Sequence, residues 1–574
     1  MSSVERQEYL TATVLDQDFL DDAHDNLVNQ LEMVAEIETP TGTIYASDRN
    51  KYVGGIFYEA LTTFPVIRRT VGDWLSAALE FSSLKLTISN ADGRFNNFMI
   101  GGADYDSFVN RSVVVKMGLR DLSSSYKDIF RGKITEVGGF ARDISSFTIF
   151  VRNDFDKVNV KFPKSTLETN TYPNLEATMI GTIMPIIYGV WPDSSGGVPA
   201  YPLNGALAGV IAGGTNVEVV ISENINQVFD PTDDTISKVW YVRGSGDPIL
   251  ISEVRLTNVS TGKNRFEIIQ GGGPSGYLFE AGDTYLVTVT GVTTIDGPSY
   301  TSNIISIAKD LLIRYGGLLV SDFDVNWSTF RDKSTPTQSA IATFDARLWA
   351  SEPQPAITVA LSLLEQVRVE AFISKDLKIK LLPIHFEEFV ASPTFVTRVW
   401  DVERKTFFPT LDKRNNFNRS RGIYDYLPAL DENKFKTSLF ENPASVAQID
   451  GKKIEKSVIF PNLTQVTVVQ NQVKEIIKLA SSGMEIVELV CTWRSMLLDI
   501  GDFISLDVQI GATIFNAVPC LIRSIGYKAN GLRVPMTLWS FLNIPFPGHT
   551  GTGGGIVGGS TASIIQVPTI FISP

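Results

Sequence analysis

The sequence predicts a mainly β protein with α+β segments, divided among several domains. Three observations carry that expectation. Most of the chain runs in short stretches of period-two alternation closed by Gly, Asn and Asp turns, helical periodicity is confined to a few segments, and 574 residues exceed what one core organises. A length prior of roughly 150 residues per domain gives about four.

Residues 16 to 34, "DQDFLDDAHDNLVNQLEMV", space Phe19, Leu20, Ala23, Leu27, Leu31 and Val34 three and four apart, a helical stripe. "MVAEIETPTGTIYAS" reads as a strand pair turning between Pro40 and Gly42. "WLSAALEFSSLKLTISN" puts Leu84, Leu86 and Ile88 on one face and stops at the turn formers Asn90, Asp92 and Gly93. "SVVVKMGLRD" and "DIFRGKITEVGGFARDISSFTIFVRND" add three strands, the last two joined at Gly138 and Gly139. A looser run leads to "MIGTIMPIIYG".

From about 191 to 300 the composition shifts to Gly, Val, Thr, Ser and Asn. Short strands such as "TNVEVVISENI", "SKVWYVRGSG" and "DTYLVTVTGVT" predict an inserted all-β module. Helices follow in "NIISIAKDLLIRYGGLL" and at the start of "PAITVALSLLEQVRVEAFISKDLKIKLLP", whose second half predicts a hairpin turning at Lys375 and Asp376. "DKRNNFNRSRGIYDYLPALDENKF" reads as loop, "NQVKEIIKLASS" as helix, and strands close the chain before a Gly-rich linker and an apolar tail.

The bulk numbers narrow the function. Net charge is −13, with 63 acidic against 50 basic residues, a poor balance for gripping phosphates. Cys491 and Cys520, the two cysteines, form neither a disulfide framework nor a CxxC pair and read as buried thiols. The three histidines, His24, His385 and His549, are far apart, which leaves no HExxH or HxH pair. There is no GxSxG elbow, and "GGGIVG" at 553 to 558 follows a loop and reads as linker. Acid pairs such as Asp21/Asp22, Asp233/Asp234 and Glu387/Glu388 read as solvated surface. The expectation is no catalytic residue, no cofactor and no metal. No apolar run reaches the ~18 residues of a membrane span. The amino terminus lacks a secretory pattern, which predicts synthesis in a cytoplasm.

Two distant stretches share an outline of strand, gap, strand, turn and strand. One centres on Phe130 and Ile134, the other runs from Ile504 through Phe515–Ile525 to Val534–Leu538. Identities are poor and spacings match within a few residues, which fits an internal repeat and equally two convergent three-strand meanders.

The chain resembles the tail hub, or baseplate hub, proteins of long-tailed bacteriophages. The resemblance rests on "LKLTISNADGRFNNF" leading through "VVVKMGLRD" to "IFRGKITEV", with its step Phe130, Gly132, Ile134; on "MIGTIMPIIYG", with Pro185, Tyr188 and Gly189; on the central helix and hairpin; and on "LLDIGDFISL", with Gly501 and Asp502. It implies two tube-like β-barrel domains per chain, at 31–190 and 401–547. An N-terminal helical arm (1–30), the inserted all-β domain (191–300), a helix-containing α+β domain (301–400) and a docking tail (548–574) complete the layout. Phe130 and Ile134 would then pack inside a barrel.

The same resemblance implies a structural virion protein made in a bacterial host cytoplasm and placed at the tail tip. A homotrimer would close the distal end of the tail tube against a distal tail protein or tube ring. Tape-measure protein and DNA would pass through its lumen, and the tail segment would pair as an added strand with a tail-tip fibre or receptor-binding protein. Two other readings compete. One is a host-receptor or carbohydrate-binding protein that presents Trp240, Tyr241, Tyr277 or Tyr285; the other is a virion-associated cell-wall hydrolase.

Overall fold

In a computed structural model the described residues are 31–73, 76–79, 83–119, 123–138, 145–171, 175, 177–191, 197–202, 217–220, 239–242, 249–251, 256–258, 265–268, 284–332, 344–384, 395–398, 402, 406–411, 417–428, 432–448, 451–481, 484–492, 495, 498–510, 513–527, 533–541 and 565–566. The arm up to residue 30, the three histidines, Tyr277 and the Gly138–Gly139 turn beyond Gly138 lie outside them.

The first sheet is built from β1 (Leu31–Thr39), β2 (Gly42–Ser47), β3 (Lys51–Val53), β4 (Ile56–Ala60), β5 (Thr62–Thr63), β8 (Ser83–Ser89), β9 (Ser112–Leu119), β10 (Lys127–Gly138) and β11 (Ser146–Asn153). Its order is β3-β4-β2-β1-β9-β10-β11-β8-β5. Leu31 and Val34, placed on a helical stripe by the sequence, are strand residues: the stripe ends where β9 offers a ladder to Leu31. The predicted turn after Thr39 forms, and the Thr39 hydroxyl donates to the Gly42 carbonyl at 2.9 Å. Met33, Ala35 and Ile37 of β1 point into the core. Glu32 and Glu36 are held on the other side of the strand by Lys51 (3.0 Å) and Lys116 (2.6 Å).

Two short strands, β6 (Ile67–Asp73) and β7 (Ser76–Leu79), leave this sheet. β6 adds to a second sheet near the far end of the chain, with Thr70 opposite Ser524 and Ile67 opposite Tyr527. That sheet contains β12 (Met484–Thr492), β13 (Phe503–Ile510), β14 (Thr513–Tyr527) and β15 (Arg533–Phe541). Its edge strands are Phe395–Arg398 and Phe408–Leu411.

The inserted region forms its own seven-stranded antiparallel sheet, in which Thr284–Val287 and Val198–Pro202 are central. Three helices join the apolar core that the sheets share. They are α1 (Ile304–Arg314), α2 (Ala356–Gln366) and α3 (Val466–Ser481). Asn303 caps α1 through its side-chain oxygen, which accepts from the amides of Ile305 and Ser306. The predicted hairpin follows α2 as Val369–Ile373 paired with Ile379–Pro383. One continuous apolar core runs from the first sheet through these helices and the hairpin to the second sheet.

Three expectations are corrected. No sheet closes into a barrel among the described residues. The nearest approach is at Leu61, between β4 and β5. β4 pairs with β2 and β5 with β8, while Leu61 N–H donates to Ser47 O (3.0 Å) and Leu61 O accepts from Ser89 N–H (2.7 Å). The stretch read as loop near 420 contains the strand Arg419–Leu427, the centre of a five-stranded sheet. Its alternation is masked by polar residues and interrupted at Asp425, whose φ is +63°. The tail does add a strand, but Ile565–Gln566 pairs with Phe440–Glu441 of this same chain.

Candidate functional site

The feature that organises the molecule is a duplicated four-strand unit. In the first sheet the consecutive strands β8, β9, β10 and β11 lie side by side in the order β9-β10-β11-β8. In the second, β12, β13, β14 and β15 lie in the order β13-β14-β15-β12. Chain order and spatial order agree strand for strand.

The correspondence extends to single hydrogen bonds. Asn110, just before β9, has φ +70°; its N–H donates to Ile134 O (2.7 Å), and Ile134 N–H donates to Arg111 O (3.0 Å). Gly501, just before β13, has φ +85°; its N–H donates to Ile522 O (2.9 Å), and Ile522 N–H donates to Asp502 O (3.1 Å). Both positions sit in the left-handed region that Gly and Asn tolerate. Each long strand bulges immediately afterwards, at Thr135 and at Arg523, where one extra residue breaks the register with the next strand.

The buried pairs match as well. Leu84/Val151, Leu86/Ile149 and Ile88/Phe147 in the first unit stand where Val487/Leu538, Leu489/Met536 and Cys491/Val534 stand in the second, all buried. Both cysteines are buried thiols of the second unit.

The residues singled out in the sequence fall into two groups. Phe130, Gly132 and Ile134 lie on β10, with Phe130 and Ile134 buried. Gly132 is fixed by close approach, since a Cβ there would meet Arg152 O at 2.3 Å. Gly501 and Asp502 form the matching turn of the other unit, so two motifs that look unrelated in sequence belong to one repeated device.

Pro185, Tyr188 and Gly189 lie elsewhere, on the path into the inserted sheet. The Tyr188 hydroxyl donates to Asp310 Oδ2 at 2.5 Å, and Asp310 also accepts from Ile295 N–H and Arg314 Nε. Burial raises the pKa of both Tyr188 and Asp310 above their usual values. Gly189 has φ +81°, and a Cβ there would lie 2.3 Å from Ala346 O. Of the aromatics considered for a glycan, Tyr285 is buried in the inserted sheet and Trp240 half-buried.

Sequence reasoning missed the junction between the units. Arg69 of β6 lies 3.7 Å from Asp499, which accepts from the Lys375 amide at 2.7 Å; Asp502 accepts from the Asp499 amide at 2.7 Å. Burial pushes Asp502 up to about 6 and lowers Lys375. A carboxyl whose folded pKa exceeds its unfolded value stabilises the fold below the unfolded pKa, and that contribution is lost as pH rises through about 6. Asp502→Asn is therefore expected to raise the urea midpoint at pH 8 and to leave it almost unchanged at pH 4. A variant that loses stability equally at both would refute burial as the cause.

Among the described residues no group of three or more His, Cys, Asp or Glu is placed to hold a metal, and no helix is long and apolar enough to cross a membrane. No protein-family model and no curated protein matches the chain. Among the solved structures to which it is similar are tail proteins, two of them from prophages. A tail protein from Neisseria meningitidis MC58 matches over 89% of this chain and 96% of that one, at 7% identity and a TM-score of 0.40. The 43 kDa tail protein of prophage MuSo2 from Shewanella oneidensis matches over 88% and 98%, at 10% identity and 0.37. A prophage tail protein from Listeria monocytogenes EGD-e matches over 62% and 94%, at 9% identity and 0.26.

Proposed function

We propose that the chain is a structural tail protein that acts as a trimeric hub, and that it is not an enzyme. The observation that carries this reading is the duplicated unit. Two equivalent wall elements per chain, taken three times, present six similar elements to a six-fold tube. The Leu61 seam supports a further step, in which the first unit curls towards a barrel-like wall once neighbours cover its edges. Exposed apolar side chains on or beside those edges, Tyr52, Phe57 and Phe408, suit burial against another subunit.

On this reading the hub closes the distal end of the tube beside a distal tail protein or tube ring. It conducts tape-measure protein and DNA and carries tail-tip fibres or receptor-binding proteins, and its acidic balance keeps passing DNA from sticking. Cryo-electron microscopy of the particle tests it. Three copies on the tail axis, each contributing both units to one ring, are expected. A position on a peripheral fibre would discard the hub and make the inserted sheet the place to look for a receptor.

A further inference from the structure

A cleft of about 1330 Å³ lies between the first unit and the hairpin after α2. One wall comes from β10, β11 and the turn after it; the other includes the hairpin turn at 375–378 and Tyr527 at the end of β14. Among the described residues the lining holds eight lysines and arginines, including Arg131, Lys133, Arg152 and Lys378, against five aspartates. That is a local positive excess in a chain of net charge −13. Ile129, Phe155 and Leu377 set apolar surface between the charges. The volume exceeds the ~300–1,000 Å³ of small-molecule sites and suits a peptide segment.

The chain carries a segment of complementary chemistry. Residues 16–25, "DQDFLDDAHD", hold five aspartates, no lysine or arginine, and the apolar pair Phe19 and Leu20. The described chain also begins at the rim of the cleft. Met33 pairs with Met117, which lines it, and Tyr126, another lining residue, donates to Glu32 at 3.3 Å. Five residues lie between Asp25 and Leu31, six steps along the chain with a reach of up to about 20 Å.

We propose that residues 16–25 dock in the cleft of their own chain, aspartates against its cationic wall and Phe19 and Leu20 against its apolar floor. The inference is independent of the hub reading. The test is zero-length carbodiimide coupling on the full chain, prepared as an equal mixture of ¹⁵N-labelled and unlabelled protein and read by mass spectrometry. Expected are amide links from Asp16–Asp25 to Lys133 or Lys378 within one copy, with a yield that drops about tenfold in 1 M salt as the charges are screened. Links from these aspartates only to lysines outside the cleft, links only between copies, or no link to a cleft lysine would each overturn it.

Discussion

Gly132→Ala is expected to open the contact between β10 and β11 and to destabilise the first unit by about 3 kcal/mol. The added carbon would lie 2.3 Å from the Arg152 carbonyl oxygen, which is main chain and cannot swing away as a side chain can. In the second unit Cys520 occupies the equivalent position, opposite Ile504 as Gly132 is opposite Val113. There Cys520→Ala removes only a buried thiol and is expected to cost about 1 kcal/mol. Hydrogen exchange followed by mass spectrometry over residues 127–153 and 513–541 separates the two effects. Equal, small losses of protection in both variants would mean that Gly132 is not fixed by backbone approach.

The second large effect is expected at Arg347. Its guanidinium bonds to Asp425, lies 5.0 Å from the Trp191 ring, and belongs to a residue whose carbonyl accepts from Asn462 Nδ2 at 2.6 Å. It thereby ties the base of the inserted sheet to the five-stranded sheet around Arg419–Leu427. Both partners are buried, and burial lowers the Arg347 pKa against the opposing pull of Asp425. Arg347→Met leaves a buried carboxylate without its cation, a loss of about 3–5 kcal/mol. Adding Asp425→Asn, a residue that also accepts φ near +63°, is expected to recover most of that loss. Urea unfolding of the single and double variants decides it: if the double variant is as unstable as Arg347→Met, the charge of Asp425 is not the cause.

Much of this fold was legible because local periodicity is a local signal. β8 buries Leu84, Leu86 and Ile88 as its alternation predicts, and α1, α2 and the hairpin after α2 form where pattern and turn residues place them. β6 was not legible. "IRRTVGD" has little alternation, and besides its short pairing with β7 its ladder partner lies more than 450 residues away, so nothing near it in sequence records that pairing. The repeat was half legible for a related reason. Packing conserves side-chain volume and backbone geometry, not identity, so Phe130-Arg131-Gly132-Lys133-Ile134 and Val518-Pro519-Cys520-Leu521-Ile522 share one residue while their registers coincide. The Asn110 and Gly501 turns show the limit. Each residue type permits left-handed backbone, but only the structure reveals that both serve one hydrogen-bond pair.

The pairing of β6 with β14 also sets an order of events during synthesis. By the time Ile67–Asp73 leaves the ribosome the first sheet can begin to form and β7 soon pairs with Val71 and Asp73, yet the partner of Ile67–Thr70 does not exist until Tyr527 has been made. At ~5–20 residues per second that wait is on the order of a minute. A chain that stops short of Tyr527 therefore leaves Ile67–Thr70 unpaired beside its first sheet, exposed to chaperones and proteases, whereas a longer one hides them. The strand ending at Tyr527 acts as a late seal, and only a chain translated past it offers a settled surface to whatever it assembles with.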